Sequence, residues 1–137
     1  MSTDVAHLQF VGQQPSIVGQ CCSGLIVQHF YDGVTLTDRA NVVFLRFQDT
    51  WHRIWFETAT VFWRSGDPPQ QPVDSTLEHG LLLNDLSELH TVVGRVLRDI
   101  AYSATENGDV SVRFLFEGGT ELSLRYENNA DVTHIDA

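Results

Sequence analysis

One pattern constrains this chain more than any other. An apolar motif built around a glycine occurs twice, and each copy runs into the same succession of alternating strands. Ile17-Val18-Gly19-Gln20-Cys21-Cys22-Ser23-Gly24-Leu25 matches Val92-Val93-Gly94-Arg95-Val96-Leu97-Arg98-Asp99-Ile100 with the glycines in register. Downstream, Val43 to Asp49 and then Ile54 to Glu57 parallel Val112 to Gly118 and then Leu122 to Glu127. A period of two puts Val43, Leu45 and Phe47 on one face of the first copy. The same period lines up Val110, Val112, Phe114 and Phe116, then Leu122, Leu124 and Tyr126, in the second. Two antiparallel meanders of this kind must bury their apolar faces, so neither half is expected to be stable alone.

Turn residues divide the copies. Asp32-Gly33, Gln48-Asp49-Thr50, Asn107-Gly108 and Glu117-Gly118-Gly119-Thr120 are reversal signals. Ser65-Gly66-Asp67-Pro68-Pro69-Gln70-Gln71-Pro72 is the clearest break. The chain of 137 residues therefore reads as one domain over 1–137, with a first repeat over about 17–64, a crossing loop over 65–83 and a second repeat over about 92–127. Residues 1–16 suggest a lead-in that is loosely ordered or docked at a sheet edge, and after Asn129 the end is expected to fray into an acidic tail. Asn84 or Asp85 can cap a short helix with Leu86, Leu89 and Val93 on one face, ahead of a strand from Arg95 to Ala104; a longer helix through Ile100 stays open. The expected class is a β-rich α+β domain of two packed meander repeats with one short helix.

Composition narrows function by exclusion. Acidic residues number 18 against 8 basic ones, and every basic residue is arginine. The lack of lysine removes Schiff-base and P-loop chemistry. A net charge of -10 disfavours direct binding of nucleic acid or an anionic membrane, and favours steering toward a basic partner. With 42% apolar and 19% charged residues the chain has the makings of a folded core. Met1 to His7 lacks the pattern of a secretory signal, and no apolar run is long enough to span a bilayer, so a cytoplasmic protein is expected. Adjacent Cys21 and Cys22 suit two reduced thiols, at least one of them in the core, better than a disulfide or zinc.

No familiar catalytic or phosphate-binding motif is present, so no enzyme activity and no cofactor are implied. His79, Asp85 and His90 are the best metal-like set, but their spacing matches no helical ligand pair. His52 shares the phase of Ile54 and Phe56 and could serve as a general base beside Asp49 or Glu57; a partly buried histidine at a strand end is the plainer reading.

The segment from Trp51 to Arg64 concentrates all three tryptophans, Trp51, Trp55 and Trp63, with Arg53 and Arg64. Such side chains dominate binding hot spots because they join large apolar area to hydrogen-bonding tips. Phe44, Trp51, Trp55 and Trp63 cannot all share the face of Val43, Leu45 and Phe47, so this sheet is apolar on both sides. The second copy carries Thr120, Glu121, Ser123 and Arg125 where the first carries aromatics. That divergence suggests a scaffold copy and a working copy.

The repeated pattern of Gly19, Phe47-Gln48-Asp49 and Phe56-Glu57, answered by Gly94, Phe116-Glu117-Gly118 and Tyr126-Glu127, resembles the small duplicated β proteins of bacterial polymorphic-toxin loci, many of which are immunity proteins. The resemblance implies a cytoplasmic, non-catalytic protein that binds and blocks a cognate toxin domain. Such a toxin is expected to be basic, with carboxylates of the inhibitor standing in for phosphates. Charge and position single out Asp49, Glu57, Asp67 and Asp74, together with Trp51, Arg53, Trp55 and Trp63, as the partner-binding set. Two alternatives remain: a small-molecule-binding or enzymatic β domain using His52, and a self-associating structural subunit whose aromatic face closes a homodimer.

Overall fold

The computed structural model describes residues 8–32, 35–69, 79–85 and 92–136. Ten strands run through them: β1 (Gln9–Val11), β2 (Cys22–Asp32), β3 (Thr35–Phe47), β4 (Thr50–Glu57), β5 (Thr60–Ser65), β6 (His79–Asp85), β7 (Leu97–Ala104), β8 (Val110–Phe116), β9 (Glu121–Glu127) and β10 (Val132–Asp136). They form a six-stranded sheet in the order β1-β5-β4-β3-β2-β6 and a four-stranded sheet in the order β10-β9-β8-β7. Strands β2 to β5 and strands β7 to β10 are each four-stranded antiparallel meanders. The alternation predicts all of these strands but β10: where a fraying acidic tail is expected, Val132 to Asp136 pair with the open edge of β9 and continue the meander.

The alternation also states which side chains face inward. Leu25 and Val27, Val43 to Phe47 at every second position, Ile54, Phe56, Val61 and Trp63 from one sheet meet Leu97, Val110 to Phe116 at every second position, Leu122, Leu124 and Tyr126 from the other. Ring contacts tie the layers directly. Trp63 meets Phe114 edge to face at 6.2 Å between centroids, and Phe56 lies over Tyr126 at the same separation. Removing a fully buried Phe114 side chain from such a core typically costs about 3–5 kcal/mol.

The two sheets are clasped at one corner by the glycine turns. Gly19 N–H donates to the Leu97 carbonyl at 2.7 Å, and Gly94 N–H donates to the Cys22 carbonyl at 2.8 Å. Cys22 N–H reaches the Arg95 carbonyl and Leu97 N–H the Gln20 carbonyl, both at 2.9 Å. Cys21 bridges to Val96 between these bonds. Ile17 and Val92, the residues that open the two turns, are both sealed in the core. Both glycines sit at φ +91°, where an L side chain is strained. Immediately after the clasp each meander shifts register in the same way, between Cys22 and Gly24 against β3 and between Leu97 and Asp99 against β8.

Three expectations change in detail. The lead-in takes its edge-docked form: β1 adds to β5 in parallel, and Tyr102 Oη donates to Gln14 Oε1 at 2.5 Å. Asn84 and Asp85, expected to open a helix, end strand β6 against β2 instead, because the chain there supplies an edge partner for the long β2 strand. The described residues contain no helix, and Leu86 to His90 of the expected one lie outside them. Strand β6 also takes up residues 79–83, the last part of the expected crossing loop.

The clasp makes a measurable claim about stability. Gly19→Ala and Gly94→Ala should each lower the unfolding free energy by about 1–2 kcal/mol, because a Cβ is disfavoured on left-handed backbone even where, as here, it has open space. Both turns hold one shared set of bonds, so the double variant in urea denaturation should lose less than the sum of the two. Strict additivity would show that the turns act separately.

Candidate functional site

The face of β2 to β5 that points away from the core is built by cross-strand pairs. Ile26 lies opposite Phe44, Phe44 opposite Arg53, and Arg53 opposite Arg64; Arg46 faces Trp51, and Trp55 faces Phe62. Trp55 and Phe62 stack at 5.2 Å with their planes within 9°. The Arg53 guanidinium covers the Phe44 ring at 4.9 Å, a contact worth about 0.5–1 kcal/mol where it is exposed. Phe44 is buried under this cover although it belongs to the outer face. Trp51, Arg53, Trp55 and Phe62 are half-buried.

Trp51 lies flat because of a missing side chain. A Cβ on Gly24 would stand 2.8 Å from Trp51 Cη2 and 3.2 Å from Arg46 Cβ, so only glycine lets the indole rest on β2. Beside it, Arg46 Nη2 pairs with Asp49 at 2.8 Å, while Arg46 Nε is sealed with no partner among the described residues.

Opposed Arg53 and Arg64 would repel across the ladder. Asp67 relieves this, since its carboxylate pairs with Arg64 at 3.0 Å and its carbonyl accepts from Arg53 Nη2 at 3.5 Å. Asp67 and Pro68 thereby overhang the face and, with Gln28, Phe44 and Arg53, enclose a cleft of about 300 Å³.

The structure thus brings Trp51, Arg53 and Trp55 together, with Asp49 and Asp67 at the margin and Glu57 exposed at the end of β4. It takes Trp63 away. The alternation of β5 turns that indole into the core, only 3% exposed, where its Nε1–H donates to Tyr102 Oη at 3.0 Å. Burial pushes the Tyr102 phenol up to about 12, against the opposing pull of the Trp63 bond. Asp74 lies outside the described residues. Phe44 and Phe62 complete the cluster and were not in the expected set. The same period-two phase that assigns Trp55 to this face would have assigned them.

Other candidates resolve separately. His52 is buried, and its Nδ1 meets Ser65 Oγ at 2.7 Å. No carboxylate orients the ring among the described residues, so the pair lacks the third member of a hydrolytic triad. His79 and Asp85 fall on β6, His90 falls outside the described residues, and no group of three or more His, Cys, Asp or Glu among the described residues could hold a metal. Cys21 is exposed and Cys22 buried, both free, and burial pushes the Cys22 thiol up to about 11. Among the described residues no helix is long and apolar enough to cross a membrane. No protein family, no curated protein and no solved structure matches this chain.

Two measurements check this geometry. Gly24→Ala should swing Trp51 off the sheet, giving a red-shifted tryptophan emission and only a modest stability loss, because the clashing atom is the free end of a side chain; unchanged emission would mean the indole does not rest on β2. For His52, burial holds the imidazole below its usual value of 6.5. Its neutral form therefore contributes stability fully above that pH, and the contribution fades as pH falls toward the lowered native value. His52→Gln should flatten the stability–pH curve below 6.5, and an unaltered slope would count against the assignment.

Proposed function

We propose that this protein is a non-catalytic binding module, an immunity-type inhibitor that holds a cognate bacterial toxin domain against the outer face of β2 to β5. One observation supports it above the rest. The core closes without Trp51, Trp55 and Phe62, yet the fold keeps these rings half-open on one face with arginines among them. Aromatic anchors ringed by polar groups are the usual anatomy of a binding hot spot. Asp49, Glu57 and Asp67 rim the face, and the chain carries a net charge of -10, so the partner is basic and its association is steered by charge. On this reading the protein works in the cytoplasm and contacts neither nucleic acid nor membrane.

The same proposal reads the two meanders as copies of one ancestral unit. Reciprocal bonds at the Gly19 and Gly94 turns, and the register shift that follows each, are what a duplicated unit leaves behind.

The test is a complex with the toxin domain encoded beside this protein, followed at increasing salt. Trp55→Ser should weaken it by about a hundredfold or more, as for a hot-spot ring, while the thermal midpoint moves little, and affinity should fall as salt rises. Full affinity in a folded Trp55→Ser protein would sink the assignment of this face. A second reading rests on the presence of both arginines and carboxylates on one face, which makes it self-complementary: the face closes a homodimer. Sedimentation at micromolar concentration separates the two, since a concentration-dependent dimer lost in Trp55→Ser belongs only to the second.

A further inference from the structure

Away from the aromatic face, β3 bulges. Its Val42 stands opposite Gln28 and its Asp38 opposite Phe30, so one residue of β2 faces three of β3. The bulge and the β9–β10 turn enclose a cavity of about 510 Å³, walled by Phe30, Asp38, Asn41, Asp131 and Val132 among others. That volume is in the range of small-molecule sites.

Asp38 is the unusual member. It is only 6% exposed, and its Oδ1 takes two backbone bonds, from Ala40 N–H at 3.0 Å and from Thr133 N–H of β10 at 3.3 Å. These bonds pin the bulge and join the sheets. Oδ2 takes none among the described residues and is not among the polar atoms sealed from solvent, and Asp38 forms part of the cavity wall. Asp131 enters the wall from the turn, with its Oδ1 occupied by Tyr126 Oη at 2.7 Å. Two carboxylates thus meet in one cavity, each with one oxygen committed to structure.

The structural work does not need the charge. An asparagine amide oxygen would accept the same two backbone bonds without placing a buried anion near a second one, an arrangement that costs folding free energy. Burial and the neighbouring Asp131 both push the Asp38 carboxyl up, with the two backbone bonds and His134 pulling the other way. The charge is instead complementary to a ligand. A divalent metal is a poor match, because the described residues bring no three His, Cys, Asp or Glu together around one point. A cation on an apolar stem fits the walls that the described residues form: carboxylates and the Asn41 amide for the charge and its N–H groups, Phe30 and Val132 for the stem.

We propose that this cavity binds an organic cation, an ammonium or guanidinium group on a short apolar stem, with Asp38 as its counter-ion and Asp131 as a second acceptor. Such a group belongs either to a free small amine or to a Lys or Arg side chain of a bound protein. The inference does not rest on the aromatic face.

Nitrogen-15 chemical-shift titration of the whole chain tests it, with n-butylammonium and n-butylguanidinium as probes and n-butanol as the uncharged control. Saturable shifts should centre on the Ala40, Asn41 and Thr133 amides with the cations and be absent with n-butanol. Asp38→Asn keeps the acceptor for both backbone bonds, so it should fold with an equal or higher thermal midpoint and bind the cations about tenfold more weakly or worse, the usual loss of a charge-assisted bond. Asp131→Asn, at a position with φ +52° that asparagine tolerates, should also weaken binding and guards against a misfolded first variant. Nα-acetyl-lysine amide distinguishes the sources: affinity equal to n-butylammonium assigns a protein side chain, and binding of the free amine alone assigns a small metabolite. Absence of saturable shifts with either cation, or undiminished affinity in both variants, overturns the proposal.

Discussion

Everything in this molecule depends on the corner where two glycine turns exchange main-chain hydrogen bonds. A four-stranded meander has one apolar face and two open edges, and alone it buries too little to be stable. Pairing two of them requires a fixed relative placement, because an error of one residue in register would turn an entire apolar set outward. The Gly19 and Gly94 turns supply that placement. Each donates to the chain just beyond the other, so neither turn is satisfied until both are in position. Ile17 and Val92 then enter the core from the same corner, coupling the backbone bonds to apolar burial.

Once the inner faces are matched, the outer faces are released from structural duty, and the two sheets use theirs differently. On the four-stranded sheet, Arg113 pairs with Glu121 and Arg125 with Glu127, surface ion pairs of the kind that contribute little beyond solubility. On the six-stranded sheet the corresponding area carries a stacked ring pair and an arginine laid over a third ring. Rings of this size are not needed to complete the core, and they leave apolar area facing water, a cost that other parts of the fold must offset. This contrast between the halves is the physical content of the functional reading.

Much of this was legible in the sequence, and the reason is periodicity. Strands β8 and β9 alternate without interruption, and the turns at Asn107-Gly108 and Gly118-Gly119 delimit them. The sequence pairs Gly19 with Gly94, and both take the same left-handed backbone conformation, but the bonds exchanged between their turns leave no local signature. Legibility failed where the partner is distant in sequence. Gln9 to Val11 is a strand only because β5 offers an edge, and His79 to Asp85 only because β2 does. Trp63 was assigned outward by its company, although its phase with Val61 places it inside against Tyr102 and Phe114. The cavity at Asp38 was invisible for the same reason, since its two carboxylates come from different sheets and meet through a bulge that no local pattern announces.

The bond from Thr133 to Asp38 has a consequence for how copies of this chain behave together. Strand β10 ends its sheet, and an edge strand with free main-chain donors invites a foreign strand to add to it. Here the donor of Thr133 is already spoken for by a side chain from the opposite sheet. A newcomer would have to break a buried bond before making one of its own. A contact that holds two layers together thus also withdraws one main-chain donor of β10 from those a foreign strand could use.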